Sequence, residues 1–234
     1  MKILCTVCIR AGSKGLRDKN FLKIKNKYLF SYTLDVAKKS KIFNDIIIST
    51  DSKKIRNLSK KFNKVIFIKR PKKLATDKAN KMDAIRHALR YAENLNKIKY
   101  DLIFDLDATS ALRQVKDLKS ALRIFKKENP ENLFSVNHSR RNPYFNIVER
   151  NGKTIRVAKK FKKFPIRRQD APKTYDMNAS IYIWKRNILL KSDNLFRKKT
   201  SIYIMDFERS IDVDSKFDLS MIKNLIKKTI WKIN

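Results

Sequence analysis

An α/β fold with a mostly parallel sheet is what this 234-residue sequence predicts, and three observations carry that reading. Apolar, β-branched runs recur along the chain, and helical patterns fill most of the gaps between the first several, which is the alternation of βαβ units. The first run, Ile3-Leu4-Cys5-Thr6-Val7-Cys8-Ile9, is apolar almost throughout, as a strand buried on both faces must be. It leads directly into Arg10-Ala11-Gly12-Ser13-Lys14-Gly15, followed by Lys19-Asn20. Two glycines permit a tight turn with backbone N–H groups free to face an anion, and three cations surround it. A basic glycine turn at the carboxyl end of a first strand is where an open α/β sheet handles phosphate.

The elements follow in order. Strands are expected at Ile46–Ile48, Val65–Ile68, Leu102–Leu106, Leu133–Val136, Ser180–Trp184 and Ile202–Met205. Helices are expected near Ser31–Ser40, Asp51–Phe62, Asn80–Asn94, Val115–Lys127 and Lys216–Lys228, some opened by Ser or Asp at the N-cap. In the fourth of these, Leu118, Ala121, Leu122 and Phe125 recur at helical spacing, with lysine and arginine between them. The pattern changes across residues 138–174, where Asn142-Pro143-Tyr144 and a very basic stretch interrupt it. Asn151-Gly152 between Phe145–Val148 and Thr154–Val157 signals a hairpin, so a β-ribbon standing off the main sheet is expected. The whole chain reads as one domain, 1–234, with this ribbon as a dimerisation or lid insertion.

Composition bounds the function. No apolar stretch approaches the roughly 18 residues of a membrane span, and the short first run followed by a glycine turn is unlike a signal peptide, so a cytoplasmic protein is expected. The formal net charge of +35 invites a nucleic-acid reading. Lysines, however, occur in nearly every segment instead of crowding one arm or face, which reads as solvated surface; only weak binding to polyanions at low salt follows from the charge itself. Cys5 and Cys8 form a C-x-x-C, open to redox or zinc chemistry, but residues three apart on a strand point to opposite faces, and His87 and His138 are not spaced as further ligands. Two core thiols are the simpler expectation.

Three further patterns bear on chemistry. Asp212 and Asp214, two apart in Ser210-Ile211-Asp212-Val213-Asp214, share one face if the segment is extended, and hard divalent cations are held by such carboxylates together with substrate phosphates; the alternative is a solvated strand with Ile211 and Val213 in the core. Asp107-Ala108-Thr109-Ser110-Ala111-Leu112-Arg113 follows a core strand and reads either as a substrate-contacting loop or as a turn in which Thr109 or Ser110 caps a helix. Arg70-Pro71 ends another strand and is by itself only an extended pair.

Taken in order over residues 3–218, these pieces with Ser49-Thr50-Asp51, Leu74-Ala75-Thr76-Asp77, Arg168-Gln169-Asp170 and Asn178-Ala179 resemble the acylneuraminate cytidylyltransferase family, the CMP-sialic acid synthetases. The resemblance implies a three-layer α/β/α, Rossmann-like nucleotidyltransferase that makes a CMP-sugar and pyrophosphate from CTP and a nine-carbon α-keto sugar acid. It implies that Arg10, Lys14 and Lys19 handle the triphosphate, that Ala11, Gly12, Ser13, Gly15, Asn20, Arg70 and Asn80 line the nucleotide site, and that Asp212 and Asp214 hold Mg²⁺. On the sugar side it implies Asp107, Thr109, Arg113, Arg168, Gln169, Tyr175 and Asn178, with the ribbon around Arg140 to Arg168 exchanged between the subunits of a homodimer. Three departures stand out. Asp107 replaces a usual glutamine, which leaves two readings, contact with an amine or hydroxyl on a modified sugar such as a diamino nonulosonic acid or an approach to the metal; Asn80, followed by Lys81, replaces a serine, which would rearrange base contacts; and Ser180 replaces a glycine, which would crowd the sugar pocket slightly. The competing expectations are an eight-carbon ulosonate as acceptor, a non-catalytic relative, and a basic nucleic-acid-binding protein, the last needing clustered charge and exposed aromatics for stacking.

Overall fold

The computed structural model describes residues 1–12, 16, 19–161 and 165–227. Among them a seven-stranded sheet forms the centre, in the spatial order β11-β7-β10-β6-β1-β4-β5. The strands are β1 (Ile3–Ile9), β4 (Asp45–Thr50), β5 (Ile66–Lys69), β6 (Leu102–Leu106), β7 (Asn132–His138), β10 (Tyr175–Lys185) and β11 (Thr200–Ile204). The pairs β6–β1, β1–β4, β4–β5 and β11–β7 are parallel, and β10 runs antiparallel between β6 and β7. A small hairpin, β2 (Lys23–Ile24) with β3 (Lys27–Tyr28), precedes the first helix.

Helices cover both faces. Cys5, Val7 and Phe104 point to one side, where they pack with Phe30 and Leu34 of α1 (Leu29–Ser40), Ile55 of α2 (Lys53–Ser59) and Leu118 of α4 (Val115–Glu128). Leu4, Ile47, Ile103 and Trp184 point to the other, against Ile85, Ala88 and Leu89 of α3 (Lys81–Asn96) and Leu189 of α5 (Arg186–Lys191). α6 (Lys216–Lys227) places Ile222 and Ile226 in a third cluster with Leu112 and Val213. The three-layer α/β/α arrangement expected from the sequence is therefore present. Cys5 and Cys8 lie on opposite faces as the strand period requires. Burial, and then the neighbouring Asp105, pushes the Cys8 thiol up to about 12, so both cysteines are inert thiols at neutral pH.

Glycine is scarce, three in the whole chain, and the helices end without it. Lys41, Lys97 and Asn129 take the left-handed C-cap of α1, α3 and α4, with φ of 56, 54 and 48°.

Several boundaries moved. α2 begins two residues later than expected, because Ser52 is its N-cap and accepts from Ile55 N at 3.3 Å; Asp51 instead accepts from Ala11 N at 2.8 Å and latches the loop after β1. α4 is opened by Gln114, in a reciprocal capping box with Asp117, so neither Thr109 nor Ser110 caps a helix. β10 reaches back to Tyr175 across a register shift between Met177 and Tyr182, where Ala179 adopts φ 51°. The ribbon is present as β8 (Val148–Asn151) and β9 (Thr154–Val157), a separate two-stranded sheet. Its register pairs Asn151 with Thr154, so the turn residues are Gly152-Lys153, with Gly152 at φ 61°, and not the Asn-Gly pair. Phe145, expected on the first ribbon strand, lies in the preceding turn, where its N–H donates to Asn142 O at 3.0 Å.

Candidate active site

The carboxyl ends of β1, β5 and β6 open into a cavity of about 410 Å³. It sits where the chain crossings diverge on either side of β1, the position at which open α/β sheets bind ligands. Cys8, Ile9 and Arg10 line it from β1 and its following turn, Lys19 and Asn20 from a short 3-10 turn, and Arg70 from the end of β5. Asn80, Lys81 and Ala84 come from the start of α3, Asp107, Ala108 and Thr109 from the end of β6, and Asp214 from the segment before α6. Segments from across the sequence thus converge on one hollow.

Its walls are ion-paired. Arg10 pairs with Asp77, Lys19 Nζ lies 2.7 Å from Asp214 Oδ1, and Lys81 Nζ lies 2.9 Å from Asp105 and 3.2 Å from Asp107. Asn20 Nδ2 donates to Arg10 O at 3.4 Å, tying the two halves of the loop together. Arg70 is almost buried and fixed through Nε and Nη2 to Ser49 Oγ and Ser49 O, at 3.2 and 2.7 Å. Asn80 spends its side-chain oxygen on Met82 N at 2.9 Å as the N-cap of α3.

The loop after β6 is held from below. Arg113, buried among neutral groups, donates to Ser180 O and Oγ, to Thr33 Oγ1 at 2.7 Å and to Asp107 O at 2.9 Å. Burial lowers its pKa to about 10, with Asp107 and other acids opposing, so it remains a cation at neutral pH. Thr109 gives both its N–H and its hydroxyl to Asp107 Oδ1, at 3.0 and 2.8 Å. Ser180 is fully buried under Arg113 and does not line the cavity, so it crowds nothing there; the residue in the strained conformation is Ala179.

Asp212 and Asp214 lie in an irregular segment after a 3-10 turn at Phe207–Ser210, not on the extended strand that the shared-face argument assumed, and their carboxyl groups are near enough to interact. Burial, and then the charge of Asp214, pushes the Asp212 carboxyl up to about 6. Two carboxylates in contact with incomplete counter-charge form a donor set that suits a divalent cation. Among the described residues no cluster of three or more acidic, histidine or cysteine side chains accompanies them.

The remaining expected residues lie apart from this hollow. Arg168 and Gln169 line a separate cavity of about 350 Å³ in the lobe with His138, Ser139 and Asn142, and Arg168 donates to Ser139 O at 2.8 Å. Tyr175 packs its ring beside His138. Asn178 is buried, accepting from Ser135 Oγ at 2.6 Å and donating to Ser210 Oγ at 2.9 Å. The Ala11 N–H is engaged by Asp51, and Gly12 is exposed with open space around it. Ser13, Lys14 and Gly15 lie outside the described residues. Sequence reasoning passed over Asp77, Lys81 and Asp105 as site residues. The available signal was Asp105 itself, a carboxylate inside the apolar run Leu102–Leu106.

A hollow at the carboxyl ends of a mostly parallel sheet, lined by Arg10, Lys19, Arg70 and Lys81 with Asp214 at its edge, is the kind of site in which α/β proteins bind phosphorylated ligands. Residues 4–231 match the family described as "Cytidylyltransferase", and that match makes this a nucleotide-transferring protein. The chain is 42% identical over 228 residues to "Post-translational flagellin modification protein B" of Campylobacter coli, covering 97% of this chain and 96% of that one. It is likewise 42% identical to "CMP-N,N'-diacetyllegionaminic acid synthase" of Campylobacter jejuni, covering 96% and 95%. Against "N-acylneuraminate cytidylyltransferase" of Streptococcus agalactiae the identity is 31%, over 93% of this chain and 52% of that one. A solved structure of a CMP:2-keto-3-deoxy-manno-octonic acid synthetase complexed with CTP superposes with a TM-score of 0.71 at 14% identity, covering 98% of this chain and all of the other. The chain belongs to the cytidylyltransferase family, on the side of the CMP-sialic acid synthetases that its motifs resemble.

Proposed function

We infer that the protein transfers CMP from CTP to a nonulosonic sugar acid, releasing pyrophosphate, with Mg²⁺ held by Asp212 and Asp214. The observation that carries this reading is the convergence of Arg10, Lys19, Asn20, Arg70, Asp107, Thr109 and Asp214 on one cavity, in a chain of the cytidylyltransferase family. The 42% identity to a protein named for CMP-N,N'-diacetyllegionaminic acid, together with an acidic residue at position 107, favours a diacylated diamino nonulosonic acid as acceptor.

In the transfer, a hydroxyl of the sugar acid attacks the α-phosphorus. A new P–O bond forms, the bond to the bridging oxygen of the β-phosphate breaks, and the hydroxyl proton leaves to water. Charge accumulates on the non-bridging oxygens and on the departing pyrophosphate, so fixed cations are the main catalytic term. Arg10 and Lys19, with Lys14, supply them; the acids now facing the first two, Asp77 and Asp214, hold each side chain at the cavity before nucleotide arrives. Arg70 and Asn20, both anchored to backbone carbonyls, give the nucleotide a preformed wall. Bound Mg²⁺ supplies Lewis-acid charge to the phosphates. The exposed apolar ribbon and its flanks, with Val148, Ile155 and Ile166 at 61, 54 and 84% exposure, support a homodimer in which a partner's lobe brings Arg168 and Gln169 to this site.

A competition assay tests the acceptor. With CTP and Mg²⁺, pyrophosphate release should show the highest kcat/KM for N,N'-diacetyllegionaminic acid, at least tenfold above N-acetylneuraminic acid and an eight-carbon ulosonate. Preference for the ulosonate would contradict the reading.

A further inference from the structure

Lys81 is a cavity cation held by two carboxylates at once. Asp105 approaches from beneath: it is fully buried on β6, its Oδ1 accepts from Thr6 Oγ1 at 2.8 Å, and Lys81 Nζ stands 2.9 Å from its Oδ2. That oxygen is buried, and the Cys8 side chain is a further neighbour of the carboxyl group. Asp107 approaches from the rim, its Oδ2 3.2 Å from the same nitrogen, while its Oδ1 is occupied by Thr109. A carboxylate buried in a strand core costs several kcal/mol unless paired, and Lys81 is the cation that pairs with Asp105. Burial alone would lower the lysine pKa, but Asp105 and then Asp107 outweigh it and keep the ammonium charged.

With buried Arg113 beneath Asp107, the two carboxylates are matched by two cations, so the group presents no net positive charge to the anionic parts of the substrates. An ammonium has three N–H donors, and two are directed to Asp105 and Asp107. The ammonium lines the cavity and also stands over the Tyr182 ring, whose centroid is 5.4 Å from the nitrogen. An ammonium donor and a carboxylate acceptor side by side on the cavity wall complement the carbonyl and the N–H or O–H of a neutral acylamino-bearing sugar.

We propose that Lys81 and Asp107 together select the acceptor, Lys81 donating to the carbonyl oxygen of an acylamino substituent, and that Asp105 is the positioning residue that fixes Lys81. This rests on the reading of the cavity as a sugar-acid cytidylyltransferase site and names the part of it that discriminates among acceptors.

The test is steady-state kinetics of the full chain with CTP and two acceptors, N,N'-diacetyllegionaminic acid and N-acetylneuraminic acid, the latter bearing one acylamino group. Wild type is measured first: absence of pyrophosphate release with both acceptors would refute the functional reading itself, independently of any variant. Lys81→Met should raise the KM for the diacylated acceptor at least tenfold, leave the KM for CTP within twofold, and bring the kcat/KM ratio of the two acceptors toward one. Asp107→Asn, which keeps size and shape, should shift the same ratio in the same direction. Asp105→Asn removes the counter-charge without touching substrate. The groups facing the ammonium are then Asp107, Cys8 and Tyr182, and kcat/KM for the acceptor should acquire a falling limb at alkaline pH that wild type lacks, through loss of the Lys81 proton. A rise in the KM for CTP with the acceptor KM unchanged would place Lys81 on the nucleotide side and overturn the proposal, as would an unchanged acceptor ratio in Lys81→Met and Asp107→Asn. A merely structural role for Asp105 would lower stability without creating the alkaline limb.

Discussion

Asp117→Ala is expected to destabilise the protein by about 3–5 kcal/mol, the range for stranding one member of a buried ion pair. Asp117 is fully buried at the start of α4. Its Oδ1 accepts from Tyr203 Oη at 2.8 Å, both its oxygens accept from Arg209 Nε at 3.1 Å, and Oδ2 accepts from Gln114 N at 2.8 Å. Removing the carboxylate leaves the Arg209 guanidinium, itself buried, without its inner ion-pair partner, with Asp206 paired at its outer end. For a chain of this size the loss corresponds to a drop of roughly 10 °C in melting temperature by calorimetry. The consequence reaches the site, because Arg209 and Ser210 form the turn from which Asp212 and Asp214 project. The double replacement Asp117→Leu with Arg209→Met should recover part of the stability, since apolar pairs of similar volume often match a buried ion pair. A loss below about 1 kcal/mol for Asp117→Ala would mean that the pair does not anchor the turn.

Asp212→Asn carries the other large effect, a fall in kcat of at least 10³-fold with the fold intact. Asparagine keeps the shape but neither the charge nor the affinity for a hard cation. In the absence of metal the substitution also removes the repulsion between Asp212 and Asp214, so the melting temperature should stay level or rise slightly. The diagnostic contrast is ligand-induced stabilisation: Mg²⁺ with CTP should raise the melting temperature of wild type and leave that of Asp212→Asn much less changed. Retention of full turnover would remove Asp212 from the metal site.

Much of this was legible in the sequence because the strands of a covered parallel sheet are apolar on both faces and stand out as runs. β1, β4, β6 and β7 fall where such runs predict them. β10 was harder to delimit. Its first four residues, Tyr175 to Asn178, precede the bulge at Ala179 and carry no continuous apolar pattern, so only its second half is visible from residues alone. Asp51 follows a strand and precedes a helix, a place where an acidic N-cap is the ordinary reading; its actual partner, Ala11 N, is 40 positions away and invisible to local pattern.

The site divides the same way. The basic turn after β1 and the Asp-x-Asp could be read as chemistry because their residue types are unusual for their positions. Asp107 could be read as a departure but not as a partner of Lys81, since a contact across 26 positions depends on how β6 and α3 meet. Arg113 and Asn178 look like ligand-contacting residues in sequence, whereas their hydrogen bonds to Ser180, Thr33, Ser135 and Ser210 give them a supporting place beneath the loops.

The most direct test of the central claim is ³¹P NMR of the protein incubated with CTP, Mg²⁺ and a nonulosonic acid. Attack at the α-phosphorus predicts a phosphodiester signal for the CMP-sugar and a pyrophosphate signal growing in equal amounts, neither forming with Asp212→Asn. Inorganic phosphate and CDP in place of pyrophosphate, or CTP left unchanged with every sugar acid offered, would contradict it.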